Sequence, residues 1–196
     1  MDINGASRYI LNGGHFDIHD HRVRLIRKGD DLLLSNFYQV NKRHLTPWEP
    51  VRSPSFYTQS GWFDRIENIV TMHVKQTGFS FIILNRHETQ VLGTVNFSNV
   101  SRYPLYACYL GYALAEDSQK QGIMQTTLPV LIQWMFQNQN MHRVMAAYIP
   151  DNISSEKVLL KQGFVQEGTA KDYLLINGKW QTHHLMSFTN PHWKSE

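Results

Sequence analysis

At 196 residues, 42% hydrophobic and 12% aromatic, the chain is long enough to bury one core without disulfides or metals, and too apolar for disorder. Nineteen Lys and Arg against 16 Asp and Glu leave a net charge of +3, far from a strongly basic nucleic-acid binder, so no DNA partner is expected. The single cysteine excludes an internal disulfide, and no apolar run approaches the roughly 20 residues that span a bilayer, so no membrane partner is expected.

Residues 1–20 are rich in Gly, Asn, Asp and His and read as a flexible arm ahead of a single domain over residues 21–196. The opening residues lack the basic start and apolar run of a signal peptide, and a cytoplasmic location is expected. His15, His19 and His21 with Asp17 and Asp20 have the composition of a metal site. A solvated arm without a scaffold is the simpler reading, and no metal is expected.

Alternation over residues 21–27 predicts a first strand. Asp30 can cap a helix carrying Leu33, Leu34, Phe37 and Tyr38. Residues 46–54 hold three prolines and form a loop. Within it Trp48 reads as a packing anchor, and Glu49 can receive a cationic amine if the loop borders a cleft. Trp62, Ile66, Ile69, Val70 and His73 share one face of a second helix, ended by Gly78. Residues 79–84, 91–100 and 106–115 read as three strands of an antiparallel meander. Cys108 alternates with Tyr106 and Leu110 and suits a small core position.

Leu128, Leu131, Ile132, Met135 and Phe136 repeat at helical spacing, with Pro129 inside the pattern. Residues 143–149 follow as a strand. A strand–helix–strand unit of this kind implies a right-handed crossover and a parallel pair. Asp151-Asn152 can cap the next helix, with Gly163 as its left-handed stop. Asn177-Gly178 between two apolar runs predicts a two-residue hairpin turn. His183 and His184, adjacent in a strand, point to opposite faces. The whole reads as a mixed α/β sandwich.

Two helix starts carry candidate chemistry. At residues 119–124 a polar turn with Gly122 opens the long helix, and free N–H groups at the positive end of its dipole suit a phosphate. An ordinary strand–helix turn has the same look. At Asn152 and Ser155 capping is the simpler reading, while the Ser155 hydroxyl can face a cleft at the strand ends and donate a proton.

The element order and the junction Gln119-Lys120-Gln121-Gly122-Ile123-Met124 resemble the GNAT acetyltransferases. Within them the chain is more similar to the Rim-type ribosomal-protein-alanine N-acetyltransferases. Residues 44–52, 95–100, 107–112, 141–146 and 170–178 carry this likeness, which extends from about residue 22 to residue 193. It implies a GNAT-like mixed β-sheet of about seven strands and about four helices, with a parallel pair in the middle. It also implies an acyltransferase that moves acetyl from acetyl-CoA to the α-amino group of an N-terminal alanine on a small-subunit ribosomal protein. The partner is then a ribosomal protein N-terminus or the ribosomal particle.

The resemblance also implies roles. Gln119, Lys120, Gln121, Gly122, Ile123 and Met124 hold the pyrophosphate through backbone N–H groups. Leu114 and Ala115 pair with the pantetheine arm and supply the oxyanion donors. Asn152 contacts pantetheine, and Ser155 protonates the leaving thiolate. Lys120 stands where the family pattern has a glycine, and Met124 at the final Gly/Ala position. A Cβ at residue 120 is unfavourable if the backbone there needs φ > 0, whereas its ammonium can pair with a phosphate. Glu49 and Asp172 are the two candidates for receiving the amine. Two further readings are a GNAT enzyme for a small-molecule amine, and a catalytically weak ribosome assembly factor.

Overall fold

The computed structural model describes residues 10–194. Among the described residues one eight-stranded sheet runs, in spatial order, β1 (His15–Ile18), β2 (His21–Leu25), β3 (Phe79–Asn85), β4 (Val91–Ser101), β5 (Ala107–Leu114), β6 (Arg143–Tyr148), β8 (Lys179–Thr189) and β7 (Val165–Ile176). Its first hairpin joins β1 (His15–Ile18) to β2 (His21–Leu25). Residues 15–18 are therefore not part of a loose arm, and β1 is the strand beyond the seven expected. Phe16 and Ile18 alternate with polar neighbours, but four residues are too few to register as a pattern. Ile10 is also in the core, at 1% exposure. The expected arm over residues 1–9 lies outside the described residues.

Helix α1 (Asp31–Val40) is followed by the short α2 (Lys42–Leu45) and by two 3₁₀ turns, Thr46–Trp48 and Pro54–Tyr57. Asp30 occupies the N-cap position of α1 but makes no side-chain cap bond. Its carboxylate takes both arms of Arg24, at 2.7 and 2.8 Å, in a buried ion pair. The bidentate ion pair outcompetes a single bond from a backbone N–H. Helix α3 (Gln59–Lys75) stops at Gln76, which is left-handed at φ 53°, and not at Gly78.

Strands β3 (Phe79–Asn85), β4 (Val91–Ser101) and β5 (Ala107–Leu114) form the antiparallel meander. Helix α4 (Ile123–Asn138) then crosses to β6 (Arg143–Tyr148), which lies parallel to β5. Pro129 has no N–H for the Gln125 carbonyl one turn back, and Gln162 Nε2 donates to that carbonyl instead at 3.4 Å. Helix α5 (Ile153–Lys161) ends in a Schellman motif: Gly163, at φ 86°, donates to Leu160 O, and Phe164 N–H donates to Leu159 O. Strands β7 (Val165–Ile176) and β8 (Lys179–Thr189) close the chain around Asn177-Gly178. Both turn residues are left-handed, at 46° and 76°, as a type I′ turn requires.

Strand alternation splits the core in two. Phe81, Ile83, Cys108 and Leu110 face α4 and α5, packing on Leu128, Leu131 and Met135. Ile82, Leu84 and Ala115 face α1 and α3, packing on Leu34, Tyr38, Trp62 and Ile66. The sheet is thus a partition between two helical layers, and a site at its central opening can be reached from both.

Candidate active site

The parallel ladder between β5 and β6 is short. Ala107, Cys108 and Tyr109 register with Arg143, Val144 and Met145, and the two strands separate beyond. On the other edge of β5 the Ala115 N–H donates to Leu92 O at 2.8 Å. Antiparallel pairs alternate between bonded and non-bonded positions. Leu114 and Tyr112, offset from Ala115 by one and three residues, therefore turn their backbone N–H and C=O groups toward the opening. This revises the expectation for Ala115, whose N–H is already spent inside the sheet. Leu114 and Tyr112 are the β5 residues whose amides can meet an extended ligand there.

The turn before α4 has the shape of an anion nest. Lys120 is left-handed at φ 60° and Gly122 at φ 77°. Gly122 is the N-cap of α4 and has no side-chain cap, so no side chain occupies the first N–H groups of the helix. Such a turn converges successive N–H groups on one concave side. Ile123 and Met124 are buried in the core, so only their backbones are available to a ligand. Gln121 donates from Nε2 to Asp117 O at 2.7 Å and braces the turn. Gln119 Nε2 meets His44 Nε2 at 3.1 Å, and Asn41 Oδ1 accepts from the Glu116 N–H at 2.8 Å. The turn is thus tied to Asn41, between α1 and α2, and to His44 in α2. The opening beside β5 and the uncapped nest fit an elongated ligand with a pyrophosphate.

Asn152 caps α5: its Oδ1 accepts from the Ser155 N–H at 3.1 Å. Capping explains that side chain, and it sets the Ser155 hydroxyl in the first turn. Ser155 Oγ lies 2.9 Å from Tyr112 Oη, and Tyr112 also donates to the Ser155 carbonyl at 3.1 Å. Burial raises the Tyr112 pKa well above its ordinary value, while the Ser155 bond pulls the other way. The phenol therefore stays protonated. Tyr112 is a site residue that the sequence reading missed. Its period-2 spacing from Cys108 and Leu110 marks its face, but nothing local announces a partner 43 residues away.

Glu49 lies on the other side of the sheet, in a cavity of about 130 Å³ shared with Tyr38, Lys42, Arg52, Tyr57 and Asn177. Arg52 Nε donates to Glu49 Oε2 at 3.2 Å. Burial raises the Glu49 pKa, and Arg52 offsets part of that rise. The Glu49 carbonyl accepts from the Asn177 N–H at 2.9 Å, docking the β7–β8 hairpin tip on this loop. Trp48 is not the anchor expected; it is 37% exposed, and Phe56, Trp62 and Tyr38 make the local aromatic cluster instead. Asp172 is exposed and left-handed at φ 49°, in a β7 irregularity between Ala170 and Leu174. It does not join Glu49 in the cavity.

The remaining candidates disperse. His15 pairs with Asp17 at 3.3 Å, whereas His21 is buried and meets Thr127 Oγ1 at 2.9 Å. No group of three or more His, Cys, Asp or Glu among the described residues could hold a metal ion. His183 bonds to Gln181 O and His184 to Thr169 Oγ1. Burial pushes the Cys108 thiol up to about 12, which leaves it inert as a nucleophile. No helix among the described residues is long and apolar enough to cross a membrane.

Comparison with known proteins places this geometry in context. The family described as acetyltransferase (GNAT) domain matches residues 22–165. The [ribosomal protein uS5]-alanine N-acetyltransferase of Escherichia coli (strain K12) is 42% identical over 171 residues, covering 87% of this chain and 88% of that protein. The crystal structure of ribosomal-protein-S5-alanine acetyltransferase from Vibrio fischeri superposes with a TM-score of 0.90 at 44% identity, covering 92% of this chain and 99% of that one. Mycobacterium smegmatis RimJ in complex with CoA-disulfide shares the fold, with a TM-score of 0.83 at 24% identity, covering 94% and 90% of the two chains.

Proposed function

The chain belongs to the GNAT acetyltransferase family, and on that premise we propose that it moves acetyl from acetyl-CoA to the α-amino group of the N-terminal alanine of ribosomal protein uS5. The observation that carries this reading is the 42% identity to the uS5-alanine enzyme over 87% of the chain. That span takes in both helical layers, so it covers the nest and the Glu49 loop alike.

The named residues divide the work. Backbone N–H groups of Lys120, Gln121, Gly122, Ile123 and Met124 receive the pyrophosphate, and the Lys120 ammonium adds charge beside it. Leu114 and Tyr112 amides pair with the pantetheine arm and stabilise charge developing on the thioester oxygen. An N-terminal amine has a reference pKa of about 7.7–8.0, so a useful fraction is neutral near pH 7.5 without strong assistance. That amine attacks the thioester carbon. Glu49 takes the proton it sheds, helped by the raised pKa that burial imposes. Asp172 is the alternative acceptor. As the carbon–sulfur bond breaks, Ser155 gives a proton to the departing sulfur and regains one from solvent, while Tyr112 stays protonated and holds the Ser155 hydroxyl in place.

The test is a panel of short peptides incubated with acetyl-CoA and read by mass spectrometry. Peptides beginning with alanine gain one acetyl group on the α-amine, ahead of peptides beginning with serine and of free polyamines. Preferential acetylation of the free amines would overturn the reading.

A further inference from the structure

The cavity beside Glu49 carries more positive than negative charge. Glu49 brings one carboxylate, and Lys42 and Arg52 bring two cations. Aromatic faces hold both cations in place. Lys42 Nζ lies 4.4 Å from the Tyr57 ring centroid, and the Arg52 guanidinium carbon lies 4.5 Å from that of Phe56. Arg52 also bonds Glu49 directly, so the carboxylate is neutralised from within the protein. A lysine or arginine side chain entering the cavity therefore meets a carboxylate whose charge Arg52 already offsets.

The cavity also lies close to the opening in the sheet. Tyr38, in its wall, sets Oη 3.4 Å from Thr94 Oγ1. Thr94 registers with Ala113, the residue between Tyr112 and Leu114. Directly opposed residues on neighbouring strands have Cβ atoms about 5 Å apart. At about 130 Å³ the cavity is well below the roughly 300 Å³ of pockets that enclose whole ligands. It suits one side chain.

We propose, resting on the acetyltransfer reading above, that this cavity receives the side chain after the acceptor's N-terminal alanine and selects an acidic or neutral residue there against lysine and arginine. A cation entering it loses water and meets Lys42 and Arg52 as like charges. A carboxylate gains a charge-assisted bond to Lys42. The same two cations favour the neutral form of the acceptor amine, the form that attacks.

The test uses three peptides identical except at their second residue: Ala-Glu, Ala-Gln and Ala-Lys. The value of kcat/KM is expected to fall in that order, by roughly tenfold from the first to the last. Lys42 is exposed, so Lys42→Glu can keep the fold, which circular dichroism checks. That variant narrows or reverses the ranking, and Arg52→Gln moves it the same way. Equal rates for the three peptides, or a ranking that neither variant alters, would sink the cavity assignment while leaving alanine acetylation intact. Failure to acetylate any of the three would sink the acetyltransfer reading and this inference with it.

Discussion

On the α4 side of the β5–β6 opening, the groups available to a ligand are mostly backbone amides: those of Leu114, Tyr112 and the residues around Lys120 and Gly122. On the α1 side they are side chains: Glu49, Arg52, Lys42 and Tyr38. A backbone nest reads the shape and charge shared by every pyrophosphate, and is insensitive to most side-chain changes. A side-chain cavity reads one partner, and a single substitution can retune it. On the proposed reading, one face of the sheet therefore suits an invariant co-substrate and the other a particular acceptor. His44 and Asn41 tie the two together through Gln119 and Glu116.

Four substitutions can break or sharpen this contrast. Gly122→Val should do most damage on the backbone side. A left-handed φ of 77° costs an L-residue about 1–2 kcal/mol or more. Acetyl-CoA affinity measured by titration should fall at least about tenfold as the nest opens. Unchanged affinity would mean that the co-substrate does not sit on this turn.

Ser155→Ala should lower turnover by less than about tenfold, because a thiol of reference pKa near 8.5 leaves fairly well unaided. Tyr112→Phe should have a similar effect. The double variant should lose little more than either single one, since the two hydroxyls act in series. Additive losses in steady-state kinetics would instead give them separate roles.

Lys120→Gly is the mildest. Relief of the left-handed strain at φ 60° should raise stability by up to about 1 kcal/mol in thermal unfolding, less the entropy that glycine adds to the unfolded chain. Acetyl-CoA affinity should drop about twofold to threefold at low salt, with the difference fading at high salt. Identical affinities at both ionic strengths would remove the ammonium from the phosphate site.

Short-range signals were legible. The Asn177-Gly178 turn, the Gly163 stop, the meander and the parallel crossover all follow from local pattern, because one or two residues or a single period specify each. What local pattern missed depended on competition. Asp30 looks like a cap, yet Arg24 takes its carboxylate. Gly78 looks like a stop, yet Gln76 already ends the helix. β1 is too short to show a period, and its pairing with β2 reveals it.

The site divides along the same line. The sequence by itself marked the polar turn before α4, the Asn152 cap and the place of Ser155, since each lies at a helix start with its own local chemistry. The tertiary structure alone decided that Tyr112 backs Ser155, that the Ala115 amide is already spent, and that Glu49 reaches the cavity with Arg52 on its carboxylate. Those facts depend on strand register, on where β5 and β6 part, and on the hairpin tip docking against the Glu49 loop. Such contacts join residues far apart in the chain, and no local propensity encodes them.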